Sequence, residues 1–151
     1  MTLEKKVDLC LRWIATQADC PEEIRAVLGE ALDKKRGNED LGAAEDFLRE
    51  MGVNQGNQGW GYLRTAICLC LEDEGYLHRI SKRLYPEVAR RHGATYNGVE
   101  RSIRHAIERA FEVGDAEAQY AVFGNATAAY GKPTNGNFIA GCVHEIQRRK
   151  R

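Results

Sequence analysis

A chain of 151 residues, 43% hydrophobic and 29% charged, is sized for one domain with an appendage and is too apolar to be disordered. Its 22 Lys/Arg balance 22 Asp/Glu, so net charge alone selects no partner. No run approaches 18 uninterrupted apolar residues, which argues against a membrane span, and the opening MTLEKKVDLCLRWIATQ lacks the apolar stretch of a secretory signal. The expectation is a cytoplasmic protein.

The helical signals begin at once. Leu3, Val7, Leu11 and Ile14 recur at spacings of three and four, predicting an amphipathic helix over 3–17. In ADCPEEIRAVLGEALDKKRGN, Pro21 stands at a first helical position, Glu22 and Glu23 in the first turn, Lys34, Lys35 and Arg36 in the last, and Gly37 just beyond. That punctuation predicts a second helix ending there. Asn38 or Asp40 can cap a third, running to Met51 and stopped by Gly52.

The polar connector NQGNQGWG then leads into YLRTAICLCLEDEG, dense enough in apolar residues for a helix buried on most sides. In YLHRISKRLYPEVARRHG, Pro86 disfavours helical geometry at Tyr85, which predicts a short helix over 75–84 and another from Pro86. A helix follows over 96–113, then a short one in AEAQYAVFG, a loop in NATAAYGKPTN, and a last helix with a basic tail. With no alternating strand pattern, the fold class is all-α.

The five cysteines, Cys10, Cys20, Cys68, Cys70 and Cys142, form an odd set without a C-x-x-C pair, so reduced thiols are expected. Cys142 and His144 alone do not make a metal site. No cofactor and no catalytic residues are expected, because no nucleophile–base pair or phosphate-binding glycine loop is present. Glu100 and His105, the best carboxylate–imidazole pair, project about 140° apart on a helix. An aromatic stacking platform suited to RNA is also lacking.

Charge is unevenly spread. Residues 1–56 hold 8 Lys/Arg against 12 Asp/Glu, residues 57–151 hold 14 against 10, and residues 79–109 hold 8 against 3. This local basic face suits a polyanion. Its centre is the helix over 96–113. At 100° per residue Val99, Ile103, Ala106, Ile107 and Ala110 share about a third of the circumference, with Phe111 at the border. Arg101, His105, Glu108 and Glu112 project the other way, flanked by Asn97 and Arg104 on one side and Arg109 on the other, and Thr95 is a fair N-cap.

Ala89, Gly93 and Val99 have the spacing of a helix-turn-helix: a small residue for close approach, glycine for the turn, an apolar anchor in the second helix. In that motif the N-terminal part of the second helix meets base edges, here Asn97, Gly98, Glu100, Arg101 and Arg104. Arg suits guanine O6 and N7, and Glu can accept from cytosine N4. A solvated surface helix would show the same amphipathicity, so the spacing alone leaves both readings open.

GYLRTAI, RLYPEVARRHGATYNGVERSIRHAIERA and GKPTNGNFIA resemble the C-terminal DNA-binding domain of stage 0 sporulation protein A, over about 40–147. The resemblance implies a bundle of about six helices with a central helix-turn-helix, and binding to a short double-stranded DNA box with a G·C-containing core, often in tandem. It implies base reading by Glu100 and Arg101, with Arg104 and His105 also in the motif. It matches Lys82 to a Lys of the motif's first helix, and Lys132 and Thr134 to a loop suited to contacting the DNA backbone. Arg104 and Asn97 are expected to join the base reading, and Lys82 and His105 the backbone contacts.

Several positions depart from the family. Gly98 stands where an Arg is usual, Asn97 where Ser is frequent, and Arg79 where a small hydroxyl residue is usual. Arg79 offers a backbone contact in exchange. The family's contact with the RNA polymerase sigma subunit falls near NATAAYG, which differs here.

The expected organisation is therefore an extension over 1–37 and a DNA-binding domain over 38–151. Residues 1–37 are too short for the family's phosphorylated receiver and carry only helical signals, so control by receiver phosphorylation is not expected. Leu9, Trp13, Val27, Leu28, Leu32 and Phe47 are candidates to pack the extension on its own domain or to form a homodimer on tandem sites, and its acidic character could mask the basic face. The leading function is a sequence-specific transcriptional regulator. The alternative is a protein-interaction module that modulates a full-length sporulation-type regulator without binding DNA.

Overall fold

The computed structural model describes residues 2–150, with the side chains of 125–130 outside that description. Among the described residues the chain forms seven α-helices and no strand: α1 Leu3–Ala15, α2 Glu22–Glu50, α3 Gln58–Glu72, α4 Tyr85–His92, α5 Tyr96–Val113, α6 Ala116–Tyr130 and α7 Asn135–Lys150. A 3₁₀ turn, Glu74–His78, and a π turn, Ile80–Leu84, connect α3 to α4. Two compact units result, residues 1–40 and residues 41–151.

In the first unit, α1 starts at the Thr2 cap, whose hydroxyl accepts from Lys5 N–H, and it buries no residue. Cross-helix ion pairs hold it to the first half of α2. Lys35 Nζ lies 3.6 Å from Glu4 and 3.7 Å from Asp8, while Asp8 also takes Arg12 at 2.9 Å.

The predicted break at Gly37 does not occur. α2 continues through Gly37 and Gly42, with open space around both. An exposed glycine costs a helix about 1 kcal/mol but removes no hydrogen bond, and no proline stands in this segment to do so.

The second unit is built around α3, α5 and α7, which bring Leu63, Ile67, Ile103, Ile107, Phe138 and Ile139 into one core with the end of α2. Phe47, proposed for the extension's contact, is instead 2% exposed within this core. Phe123 stacks on Phe138 at 5.2 Å, and Phe111 meets both edge-on. Buried Gln119 donates from Nε2 to Met51 O and Ala110 O, each at 2.8 Å, joining the end of α2, α5 and α6.

Three further boundaries differ from expectation. α3 begins at Gln58, inside the glycine-rich connector, because Gly59 allows it to pack directly on α5. A Cβ at Gly59 would collide with Ser102 O and lie 2.7 Å from the Ala106 Cβ. The segment assigned to a loop after 124 stays helical to Tyr130, with the irregularity confined to Gly124. Tyr85 is also helical (φ −61°, ψ −42°) despite preceding Pro86. The π turn explains it: Leu84 N–H donates to Arg79 O and Tyr85 N–H to Ile80 O. The widened turn relieves the clash that a proline ring makes with an ordinary helical carbonyl.

Candidate nucleic-acid interface

The turn between α4 and α5 is fixed by its backbone bonds. Gly93 adopts left-handed geometry (φ 60°, ψ 35°), open to glycine at little cost. Ala94 N–H donates to Ala89 O at 2.9 Å and Gly93 N–H to Arg90 O at 3.5 Å, the paired bonds of a Schellman motif. Two residues later Thr95 caps α5, its Oγ1 accepting from Gly98 N–H at 3.0 Å. Ala89 is 7% exposed and Val99 is fully buried, so the three spacing positions occupy the places a helix-turn-helix requires.

α4 is anchored from behind. Tyr62 meets the His92 ring edge-on at 5.0 Å, and Thr65 Oγ1 lies 2.7 Å from His92 Nε2. Tyr85 packs edge-on against Tyr96 at 5.6 Å, linking the starts of the two motif helices. Burial raises the pKa of the Tyr85 phenol, prevailing over its hydrogen bond with Asn135, which acts in the opposite sense.

The buried stripe of α5, Val99, Ile103, Ala106, Ile107 and Ala110, faces the core as expected. Asn97, Arg101, Arg104, His105 and Arg109 are exposed on its other side, whereas Glu100 and Glu108 are half-buried. Glu100 accepts from Arg104 one turn later, and its backbone O accepts from Asn135 Nδ2 at 3.1 Å. Glu108 holds Lys132 Nζ at 2.8 Å, and that ammonium keeps the Glu108 carboxyl below the usual carboxylate range. Arg109 pairs with Glu112 at 3.2 Å.

These contacts divide the candidate residues into two groups. Glu100, Arg104, Lys132 and Thr134 line one open cleft of about 610 Å³ between α5 and the start of α7. Thr134 is engaged as well, its Oγ1 accepting from Asn137 N–H at 3.2 Å at the head of α7. By contrast, the side chains of Asn97, Arg101 and His105 on α5, and of Arg79 and Lys82 on the 3₁₀ and π connection, make no ion pair or hydrogen bond among the described residues. Arg79 and Lys82 border a neighbouring groove that shares Ile80 and Ser81 with the first.

The cleft also contains Ser81, Tyr85, Tyr96 and Asn135, none of them singled out from the sequence. Asn135 had a signal, as the last letter of KPTN. Ser81 and Tyr96 had none, because their neighbours across the cleft are distant in sequence. The side chains of 125–130, in the segment compared with the sigma-contacting region, lie outside the described residues. Among the described residues no group of three or more His, Cys, Asp or Glu is placed to hold a metal ion, and no helix is long and apolar enough to cross a membrane. Burial raises the Cys70 thiol to about 12 and holds the Cys142 thiol well above its ordinary value, so neither is a ready nucleophile.

With this geometry in place, comparison with protein families adds one finding. Residues 44–146 match the profile described as sporulation initiation factor Spo0A C terminal. The match spans α3 to α5 entirely, together with the end of α2, α6 and nearly all of α7.

Proposed function

The chain belongs to the Spo0A C-terminal family, a family of DNA-binding regulatory domains of sporulation transcription factors and not of enzymes, and from that premise we propose how it reads its target. It binds double-stranded DNA in a sequence-specific manner, with α5 in the major groove. Arg101 and Asn97, both exposed and unpaired, read base edges near the start of the helix. Glu100 and Arg104 read as a unit, the carboxylate orienting the guanidinium through their i,i+4 contact. Arg79, Lys82, His105, Lys132 and Thr134 contact the phosphates and set the register. The observation that carries this reading is the Schellman turn at Gly93 followed by the Thr95 cap, which holds an arginine-bearing helix face outward from a buried scaffold.

Residues 1–40 hold α1 and most of α2, and we propose that this helical unit, rather than an aspartyl phosphate, carries the control.

The test is fluorescence anisotropy with a duplex carrying the family's box and a scrambled duplex at two salt concentrations. Binding the box at a Kd on the order of 10⁻⁸ M, at least ~10³-fold tighter than scrambled, is the expected result. Equal and steeply salt-dependent binding to both would remove the sequence-specific reading. Binding to neither, with affinity for a full-length sporulation regulator, would establish an interaction module instead.

A further inference from the structure

The hairpin of residues 1–40 has two unlike sides. On one, Glu4, Asp8, Arg12, Lys35 and Glu39 line a polar groove that contains the ion pairs between α1 and α2. The other side is apolar. At 100° per residue Leu3, Val7, Cys10 and Ile14 fall within about 60° on α1, and Ile24, Val27 and Ala31 within about 60° on α2. All seven are exposed. Taking the ion-paired edges as the contact between the antiparallel helices, both stripes lie on the same side of the hairpin.

This side is too apolar for its surroundings. Leu3 is 78% exposed, Val27 65%, Ile24 50% and Val7 49%, while Leu32 is the one hydrophobic residue buried within 2–40. A 13-residue helix is marginal in water without tertiary packing, and α1 buries nothing. Leu3, Val7, Ile14, Ile24 and Val27 together expose roughly 450 Å², about the apolar share of the ~800 Å² each partner gives to a standard stable interface.

We propose that this face is a homodimerisation surface and that its occupant is a second copy of the chain. Two antiparallel helices offering an apolar stripe each are one half of a four-helix bundle, and a two-fold axis brings two identical faces together to close it. The apolar area available matches the apolar share of what a dimer needs. The stripe also has no charged residue between its apolar positions that a different partner would have to neutralise. Cys10 lies in the middle of the α1 stripe and becomes covered in the dimer.

Sedimentation equilibrium of the full chain without DNA tests this independently of any DNA-binding role. The expected result is a concentration-dependent shift to twice the 17.0 kDa chain mass. Val7→Asp and Val27→Asp should each weaken self-association about 100-fold by placing a carboxylate in the contact. Leu9→Asp, on the polar-groove side, should leave association unchanged. Because an α1 substitution can also unfold the hairpin, the maleimide reaction rate of Cys10 in the unaltered protein is the second measurement. It should fall as protein concentration rises. A single-chain mass at every concentration overturns the proposal, whether Cys10 stays reactive throughout or is protected at all dilutions, the latter meaning that the chain covers its own face. Association that survives both Asp variants with helicity intact overturns it equally.

Discussion

Glu108 and Lys132 are 24 residues apart in sequence yet 2.8 Å apart in space, and their pairing opposes the phosphate contact proposed for Lys132. Glu108→Gln removes the competitor and leaves the ammonium free. DNA affinity should rise several-fold with the salt slope nearly unchanged, because Lys132 makes its proposed phosphate contact in either protein, as read by anisotropy titrations from 50 to 200 mM salt. Arg101→Ala acts in a different way. It should cost about 1–3 kcal/mol on the specific duplex and narrow the gap to scrambled DNA, whereas Lys82→Ala should weaken both duplexes alike. Gly98 connects the helix start to its cap. A Cβ there would lie 2.9 Å from Thr95 Oγ1, so any larger residue must displace the capping hydroxyl. Thr95→Ala, which removes the cap directly, should cost about 1 kcal/mol in a urea melt. Much of this residue-scale detail was not legible in sequence. The Glu100 and Arg104 pairing has a one-turn spacing that could have been seen, but the grip of Glu108 on Lys132 depends on how a distant loop folds back.

Among the elements, α3 and α5 meet with almost no clearance at Gly59, and that contact sets the position of α5, the proposed reading helix. Gly59→Ala forces a methyl against Ser102 O and Ala106 and should destabilise the domain by about 2–3 kcal/mol, with a parallel loss of DNA binding. Chemical denaturation on the variant, together with the anisotropy assay, checks both parts. The amphipathic face of α5 and the turn between α4 and α5 were readable, because periodicity, Gly93 and Thr95 are local signals. The length of α2 was not. Gly37 after a basic run has every mark of a helix end, and only the continuing backbone ladder contradicts it. The π turn before Pro86 was equally hidden, since it depends on Arg79 and Ile80 carbonyls accepting from residues five positions later.

For the whole molecule, acid stability follows from paired carboxylates. Arg149 lowers the pKa of Glu50, Arg83 that of Asp73, Arg148 that of Glu145, and Arg90 with Arg91 lowers Glu87 to about 2. Each folded-state value lies below its unfolded one, so each contribution is complete above the unfolded carboxylate range and is lost as pH falls through the folded value. Thermal melts should therefore be nearly flat from pH 6 to 8 with respect to these groups and should decline from about pH 4 towards 2. The contributions are individually small because the pairs are exposed.

The division of the interface into free and engaged charges also separates its kinetics into two regimes. Arg79, Lys82 and Arg101 can act on DNA at a distance and accelerate the first encounter, so raising salt should slow association chiefly through them. In the proposed complex Lys132 must exchange Glu108 for a phosphate, and it does so only after contact, whereas Arg104 keeps Glu100. When DNA leaves, Glu108 is already in place to recapture Lys132, which shortens the lifetime of a misplaced complex. Stopped-flow traces should accordingly show Glu108→Gln prolonging residence on scrambled DNA far more than it quickens arrival.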